Sequence, residues 1–320
     1  MQTKPYRDLN TYFRALYGCR VHKVTIDAGL TCPNRDGTLS SGGCIYCNAR
    51  GSGTGAHLKG MSIARQIERS KVRIARRYKT DKLMAYFQSF TNTYAPVEHL
   101  KVLYEEALAI QEVVGLAIGT RPDCINTDVL DLLESYTQRH LVWIEYGLQS
   151  AHDRSLALIN RGHDFASFEK AVAATRNRNI HICAHVILGL PGESRKDMLE
   201  TADVVAAMGI EGIKLHLLYV VRGTRLEQLF RDGSYRCLEQ SEYADLVCGF
   251  IERLPETMII QRLTGDPHPR ELVAPAWSLK KRETLDMIHK RFADARTWQG
   301  KRFKAKITDY PTNKDTAVSD

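Results

Sequence analysis

Three cysteines on one short, glycine-bearing loop are the residues best suited to chemistry in this 320-residue chain. Cys32, Cys44 and Cys47 follow the spacing C-x11-C-x2-C. A C-x2-C pair places two thiolates close together, and a third cysteine completes a three-point clamp around a metal ion or an iron–sulfur cluster. Three protein ligands leave one coordination position open, which is typical of a reactive metal centre.

A structural zinc site of the Cys3His type is the alternative interpretation of this loop. His22, His57 and Cys19 lie near enough in the sequence to supply a fourth ligand. Such a site would have four protein ligands and no open position. The spacing by itself leaves both interpretations open.

Alternating strands and helices must position the cysteine loop. Apolar runs of strand length are predicted at 24–27, 83–87, 113–118, 141–146, 180–187 and 212–218. Segments with helical spacing follow them at 61–79, 97–111, 127–139, 152–159, 165–177 and 194–208. This order favours a parallel sheet with helices on its outer face. We therefore predict an α/β fold, a partial six-stranded (β/α)6 barrel that carries its chemistry at the carboxyl ends of the strands.

The strand and helix alternation stops near residue 225. Helical segments at 240–253 and 278–295 flank one short apolar run at 258–260, which indicates a smaller α+β extension. We predict that the barrel and its cysteine loop occupy residues 1–225 and that the extension occupies residues 226–300. Residues 301–320 are polar and lack helix caps, so we predict a disordered tail.

Motifs at the loop and at the fourth strand resemble those of radical S-adenosylmethionine (SAM) enzymes. Tyr46 is an aromatic residue inside the C-x2-C pair, and Gly147-Leu148-Gln149-Ser150 with the downstream Arg161 resembles a pattern of the elongator branch. The chain resembles a bacterial group related to the elongator catalytic subunit, without its acetyltransferase domain. The resemblance implies that Cys32, Cys44 and Cys47 hold a [4Fe-4S] cluster and that SAM occupies the open position. It also implies reductive cleavage of SAM to a 5'-deoxyadenosyl radical, which abstracts a hydrogen atom from the substrate.

The same resemblance implies which residues contact SAM. Gln149 would meet the ribose region and Arg161 the carboxylate, because an amide and a guanidinium supply the hydrogen bonds and the charge that these groups need. The Gly189-Leu190-Pro191-Gly192 turn matches a family motif that lies against adenine, and Leu218 would close that pocket. Tyr46, Thr91 and His185 complete the expected cofactor-binding residues.

Two positions depart from the family pattern. The segment 88–91 replaces the glycine-rich turn that binds the amino group of SAM in the family, and only Thr91 matches a polar position there. His185 stands where related enzymes have an acidic ribose ligand. An imidazole can still donate to or accept from a hydroxyl group, so SAM binding is compatible with both departures.

The amino-acid composition indicates the cellular compartment and the class of partner. No apolar run reaches the roughly 18 residues that a membrane span needs, and the first ten residues are polar, so we predict a cytoplasmic protein without a membrane segment. The cysteines outside the loop lie singly and are predicted to be buried thiols rather than disulfides. The formal charge of +8 and the pI near 9.0 favour a polyanionic partner.

One predicted helix concentrates the positive charge. It carries Arg65, Arg69, Arg73, Arg76 and Arg77, of which the first four share one face. Together with the elongator resemblance, this row predicts a tRNA substrate, with a wobble-position uridine as the favoured base. The alternatives are a small-molecule or peptide substrate with a solvated helix and, more remotely, a zinc-stapled binding module without catalysis. A reducing partner of the flavodoxin or ferredoxin type is expected as the electron donor.

Overall fold

The computed structural model describes residues 4–49, 51, 55–78 and 80–304, without the side chains of residues 58 and 75–78. The helices in this part of the chain are α1 (Leu9–Tyr17), α2 (Ile63–Tyr78), α3 (Val97–Leu108), α4 (Thr127–Ser135), α5 (Asp153–Leu158), α6 (Phe165–Thr175), α7 (Arg195–Ala207), α8 (Arg225–Arg231), α9 (Gln240–Ile251) and α10 (Lys281–Asp294). The strands are β1 (His22–Ile26), β2 (Leu83–Phe87), β3 (Val113–Thr120), β4 (Leu141–Gln149), β5 (His181–Leu188), β6 (Gly212–Leu217), β7 (Val220–Val221), β8 (Ile259–Arg262) and β9 (Leu272–Ala274).

The main sheet is parallel and has the strand order β1-β2-β3-β4-β5-β6-β8. Its first six strands follow chain order and are the six that the sequence predicts, so the α/β half-barrel is confirmed. The seventh strand, β8, comes from the predicted extension and pairs with β6 through Gly212 and Ile259. An unpaired β6 edge would leave backbone hydrogen-bonding groups unsatisfied, and the apolar run at 258–260 covers it.

The main core lies between the outer face of this sheet and the helices. Leu100 and Tyr104 of α3, Phe168 of α6, and Ala202 and Val205 of α7 are fully buried against the strands. The strands are buried on both faces, which explains why they read as continuous apolar runs instead of alternating patterns. Each large side chain buried in this layer contributes about 1.5–3 kcal/mol to the free energy of unfolding.

Helix α1 closes the amino-terminal end of the barrel. Asp8 caps the helix by accepting a hydrogen bond from the backbone of Thr11, and Gly18 ends it with a φ of 70°. Its Phe13 packs against Trp143 and other inward-facing side chains at the bottom of the barrel. The interior is therefore closed on this side and opens at the carboxyl ends of the strands.

The predicted extension packs continuously onto the barrel. Strands β7 and β9 form an antiparallel ribbon, with Val220 opposite Ala274. The backbone amide of Leu226 donates to the carbonyl of Ile45 over 2.9 Å, which joins α8 to the cysteine loop. The predicted division at residue 225 stays a prediction. Of the predicted tail, residues 305–320 lie outside the described residues.

The helices were also compared with the length and composition of membrane-spanning helices. Among the described residues, no helix combines the length and the apolar composition that crossing a bilayer requires.

Candidate functional site

A cavity of about 520 Å³ lies where the carboxyl ends of the strands meet the cysteine loop. Cys32, Cys44 and Cys47 line it on one side, and the ends of the central strands line it on the other. The β7–β9 ribbon and the segment that precedes β9 form part of its rim. The size lies within the range of small-molecule and cofactor sites.

Tight turns bring the three cysteines to the cavity. The amide of Cys47 donates to the carbonyl of Cys44 over 2.9 Å, and the amide of Arg35 donates to the carbonyl of Cys32 over 2.8 Å. Gly43 has a φ of 69°, and a Cβ there would lie 2.9 Å from a guanidinium nitrogen of Arg35. Glycine is therefore the residue that lets the loop fold against this arginine.

The spread of the three sulfurs is more compatible with one of the two interpretations of the loop. Within the described part of the chain, they do not form a group of ligand atoms that all lie within 4.8 Å of one another. A tetrahedral zinc site with bonds of about 2.3 Å would bring thiolate sulfurs to roughly 3.8 Å from each other. Moreover, the proposed fourth ligands Cys19, His22 and His57 do not line the cavity. The geometry favours a larger, open centre such as an iron–sulfur cluster.

Two side chains that the sequence did not single out as cluster partners surround the most buried cysteine. The amide nitrogen of Asn34 lies 3.6 Å from Sγ of Cys44, and Nη1 of Arg161 lies 3.7 Å from the same sulfur. Both are donors, so they stabilise a thiolate at this position and tune any cluster bound to it. Asn34 also donates to the carbonyl of Asn160 over 2.7 Å, which ties the loop to the turn before Arg161.

Burial raises the pKa of the Cys47 thiol to about 11, with Cys44 adding to the effect. Without a metal the thiol therefore carries its proton at neutral pH. Iron binding must displace that proton, because the thiolate is the ligand.

Gly147 creates the space that Arg161 fills. The carbonyl of Gly147 accepts hydrogen bonds from Nη2 and Nε of Arg161 over 2.8 and 3.2 Å. A Cβ at position 147 would lie 2.6 Å from Nη2 of Arg161 and 2.7 Å from the side-chain nitrogen of Gln149. The arginine is thus held at the cavity wall beside the cysteines, with most of its surface buried.

Gln149 is held in a strained backbone conformation at the end of β4. Its φ is 76°, and the pairing between β4 and β5 is irregular from Tyr146 to Gln149. Such a φ costs a non-glycine residue of the order of 1 kcal/mol, and strain of this kind concentrates at functional sites. The side chain lines the cavity.

The segment that departs from the family pattern carries unmet hydrogen-bonding capacity. Within the described part of the chain, Oγ of Ser89, Oγ1 of Thr91 and Oδ1 of Asn92 are buried without a partner. Thr91 lines the cavity, and its amide donates to the carbonyl of Thr31 next to the first cysteine. Buried polar groups are normally satisfied, so the hydroxyl of Thr91 fits a polar ligand placed beside the cysteine loop.

The remaining predicted cofactor-binding residues differ in whether they line the cavity. Tyr46, His185 and Leu218 line the cavity. Gly189 is absent from the cavity wall, since its carbonyl accepts a hydrogen bond from the hydroxyl of Tyr235 and its α-carbon faces Leu238. Ile187, two residues earlier on β5, lies in the wall instead. The chain has already turned outward at residue 189.

Charged side chains form the bottom of the cavity. Glu145 of β4 is fully buried, and it pairs with Lys214 of β6, with Lys23 over 2.5 Å and with Nε2 of His185 over 2.9 Å. Burial alone would raise the pKa of Glu145, but the two lysines and His185 lower it well below its ordinary value. Burial lowers the pKa of His185 to about 4, so its imidazole is neutral at neutral pH. Sequence reasoning found only His185 of this group.

The predicted nucleic-acid helix lies on the outside of the barrel. Arg65, Arg69 and Arg73 of α2 are exposed and form no ion pair with any described residue. Gln66 of the same helix exchanges hydrogen bonds with the backbone of Asp27 after β1, so α2 begins at the cavity end and runs away from it. The side chains of the other two arginines of the predicted row, Arg76 and Arg77, lie outside the described residues.

The cavity thus joins three thiols without a fourth protein ligand among the described residues, a buried arginine and the unsatisfied polar atoms of Thr91 and His216. Three thiolates with an open side fit a [4Fe-4S] cluster. The arginine, the threonine and the strained glutamine fit a carboxylate, an amine and hydroxyl groups. The residues present are therefore compatible with a cluster and SAM.

Sequence comparisons agree with this chemistry. The profile of the Radical SAM superfamily matches residues 32–205, and that of the Radical_SAM C-terminal domain matches residues 210–294. The chain is 42% identical over 301 residues to the protein YtqA of Bacillus subtilis, with 94% of each chain covered. It is 40% identical over 264 residues to the protein YhcC of Escherichia coli, and this match covers 82% of this chain and 84% of YhcC.

More distant similarity extends to elongator proteins. Elongator complex protein 3 of Saccharomyces cerevisiae is 28% identical over 173 residues, which cover 52% of this chain and 29% of that protein. The structure of Elp3 from the archaeon Methanocaldococcus infernus has the same fold, with a TM-score of 0.64 at 17% identity, and the match covers 87% of this chain and 64% of that one. From the profile matches and the open cysteine site, we conclude that the chain belongs to the radical SAM superfamily and uses a [4Fe-4S] cluster and SAM as its cofactors.

Proposed function

We propose that this radical SAM enzyme modifies tRNA, with a wobble-position uridine as the target base. Cys32, Cys44 and Cys47 would hold the cluster. A [4Fe-4S] cluster held there would supply one electron for the reductive cleavage of SAM, and hydrogen abstraction from the substrate would follow. A one-electron donor is required for this chemistry, and a flavodoxin or ferredoxin would supply the electron.

The chain's own residues would hold SAM in a defined orientation. Arg161, fixed by the carbonyl of Gly147, would bind the carboxylate, and the unpartnered hydroxyl of Thr91 would meet the amino group. Gln149 would contact the ribose, with His185 below it. Ile187, Leu218 and Tyr46 would enclose the adenine and exclude water. Gly189 would act only by turning the chain behind this pocket.

The observation that carries the choice of tRNA is the row of exposed arginines on α2. Arg65, Arg69 and Arg73 have no acidic partner among the described residues, whereas the neighbouring Lys71 pairs with Glu112. The row is about 12 Å long at 1.5 Å per residue, which is enough to follow two successive phosphates. Its first member lies within one turn of the helix start, at the cavity end of the barrel.

The name of one distant relative supports the same class of substrate. A protein of Dehalococcoides mccartyi named tRNA uridine(34) acetyltransferase is 30% identical over 171 residues, which cover 51% of this chain and 36% of that protein. Because the match spans only about half of this chain, it supports the substrate class and not the acetyl transfer.

A charge-matched pair of triple variants tests the proposal. Replacing Arg65, Arg69 and Arg73 by glutamate should weaken tRNA binding by at least about tenfold and lower the dependence of the affinity on salt. The control replaces Lys196, Arg282 and Lys290, exposed cations of α7 and α10, by glutamate with the same change in net charge. The control should bind tRNA nearly as well as the wild type.

Fluorescence anisotropy with labelled tRNA at several salt concentrations measures both effects. An equal loss of tRNA affinity in the two triple variants would show that binding depends only on the net charge of the protein. Absence of salt-dependent binding by the wild type would contradict the proposal. The small-molecule or peptide alternative would then take its place.

A further inference from the structure

The bottom of the cavity is formed by a group of side chains that no cofactor contact explains. We call it the barrel floor and define it by Lys23, Glu145, Lys214, His216 and Arg262. Lys214 and Arg262 are direct neighbours on the paired strands β6 and β8, and His216 follows Lys214 by two residues on the same face of β6. Glu145, His216 and Arg262 line the same cavity as the three cysteines.

Two groups of the floor have unused hydrogen-bonding capacity. Nε2 of His216 is buried without a partner among the described residues. The guanidinium of Arg262 donates through Nε to the carbonyl of Thr264 over 2.6 Å and lies 3.8 Å from Asp266 through Nη2. Its Nη1 has no hydrogen bond with any described residue. Unmet donors of this kind in a cavity wall point to a missing ligand.

The floor also has a surplus of positive charge. Lys23 and Lys214 share the buried carboxylate of Glu145, and Asp266, the acidic group nearest to Arg262, also pairs with Lys281 over 2.6 Å. The imidazole of His216 does not add a charge, because burial and then the neighbouring Arg262 lower its pKa well below its ordinary value. Asp266 is largely exposed and lies at the outer limit of an ion pair, so the field inside the cavity is positive.

We propose that His216 and Arg262, with the positive charge of Lys214 behind them, form a subsite that binds a carboxylate of the substrate at the bottom of the cavity. The inference rests on the proposed radical function, since it assigns the floor to the molecule that the radical attacks. It does not depend on that molecule being tRNA.

The positive charge selects an anion over a neutral group, and the shape of the guanidinium favours a carboxylate. A planar carboxylate matches the fork of a guanidinium, with two parallel hydrogen bonds. A neutral amide of the same shape would leave the surplus charge buried and unpaired.

The test uses propanoate, propanamide and inorganic phosphate as probes of the holoenzyme with its cluster and SAM. The readout is the ring-nitrogen NMR signal of His216, assigned through His216→Gln. The titration is run at about pH 6, below the pKa of about 7 to which burial lowers Lys214, so that this lysine carries its proton. Propanoate should shift the signal in a saturable manner, propanamide should bind at least about tenfold more weakly, and phosphate should bind more weakly than propanoate.

Three floor variants and one control localise the effect. Arg262→Met and Lys214→Met should each weaken propanoate binding by about tenfold or more, and Arg262→Lys should restore part of it because the charge is kept. Arg282→Met, on the exposed face of α10, should leave it unchanged. Unfolding curves of each variant show whether it is folded. If either methionine variant fails to fold, Arg262→Lys still tests the proposal.

Equal binding of propanoate and propanamide, or no shift with propanoate, would overturn the proposal. Retention of the preference for propanoate in Arg262→Met would also overturn it. Propanoate contains neither a base nor a phosphate, so these outcomes are independent of tRNA binding. tRNA affinity measured on the same preparation reports separately on the proposed function.

Discussion

The upper wall of the cavity and the barrel floor are built in different ways. The upper wall takes its groups from short contiguous stretches: Cys44 and Cys47 are three residues apart, and Gly147 and Gln149 are two residues apart. The floor takes its five residues from four strands, β1, β4, β6 and β8. Local motifs therefore identify the wall, while only the sheet brings the floor together.

The two regions also differ in how their charges are satisfied. In the upper wall, the donors around Cys44 point at its sulfur, a predicted cluster ligand. In the floor, Lys214 and Lys23 pair with Glu145, and the guanidinium of Arg262 keeps an unused hydrogen-bond donor in the cavity wall. We infer that the wall serves the chemistry shared by the superfamily and that the floor serves this enzyme's choice of substrate.

The largest expected effect concerns the wall. Cys44→Ser removes the most buried of the three thiolates, and we expect nearly complete loss of bound iron because two cysteines cannot hold the cluster. Iron content and the visible absorbance of anaerobically prepared protein measure this. Cys124→Ser, a substitution outside the loop, is the matched control and should keep the cluster. Normal iron content in Cys44→Ser would remove this cysteine from the ligand set.

A smaller effect is expected for the SAM contacts of the wall. Arg161→Ala should lower SAM affinity by about ten- to a hundredfold, since a charge-assisted hydrogen bond contributes roughly 1.5–3 kcal/mol. Gly147→Ala should produce a similar loss, because its Cβ would displace the guanidinium of Arg161. Equilibrium binding of SAM to the cluster-loaded protein is the measurement.

Arg154→Ala is the control for these two variants, because this arginine is exposed on α5 and pairs with Asp197. It should leave SAM binding unchanged. If Arg161→Ala binds SAM like the wild type, the arginine has a structural role and the assignment of the wall is wrong.

The smallest effect concerns the stability of the floor. Burial lowers the pKa of Lys214 to about 7, whereas an unfolded lysine titrates near 10.4. Between these values the unfolded chain binds a proton that the folded chain does not, so the contribution of Lys214 to stability increases as pH rises above 7. From about pH 7 to 9, the free energy of unfolding of the wild type should therefore rise by on the order of 1–2 kcal/mol relative to Lys214→Met.

Chemical denaturation of both proteins across this pH range measures the difference. The titrating thiols, among them Cys47, are present in both proteins, so their contributions to the free energy of unfolding cancel in the difference. Parallel pH profiles would mean that Lys214 keeps its proton in the folded state, and its charge would then be permanent.

Sequence patterns predicted the first six strands and the helices of the barrel because apolar periodicity and caps are local signals. The strand 83–87 matches β2 residue for residue. The role of 259–262 as a seventh strand was not predicted, because four residues that end in Gln261 and Arg262 carry little periodicity. Their pairing depends on the free edge of β6, which lies more than 40 residues earlier.

The candidate site was predictable to the extent that its residues are adjacent in the sequence. The cysteines, Gln149 and Arg161 all reach the cavity as the motifs indicated. Gly189 does not, because the direction of a glycine turn after a strand depends on what packs behind it, here Tyr235 and Leu238. Glu145 was not recognised, since one acidic residue in an apolar strand does not reveal that two lysines from other strands face it.

The most direct test of the account is the analysis of anaerobically purified protein for iron, sulfide and zinc, followed by reduction in the presence of SAM. We predict about four irons and four sulfides per chain and the formation of methionine and 5'-deoxyadenosine. About one zinc per chain, without iron or sulfide and without cleavage of SAM, would contradict the account.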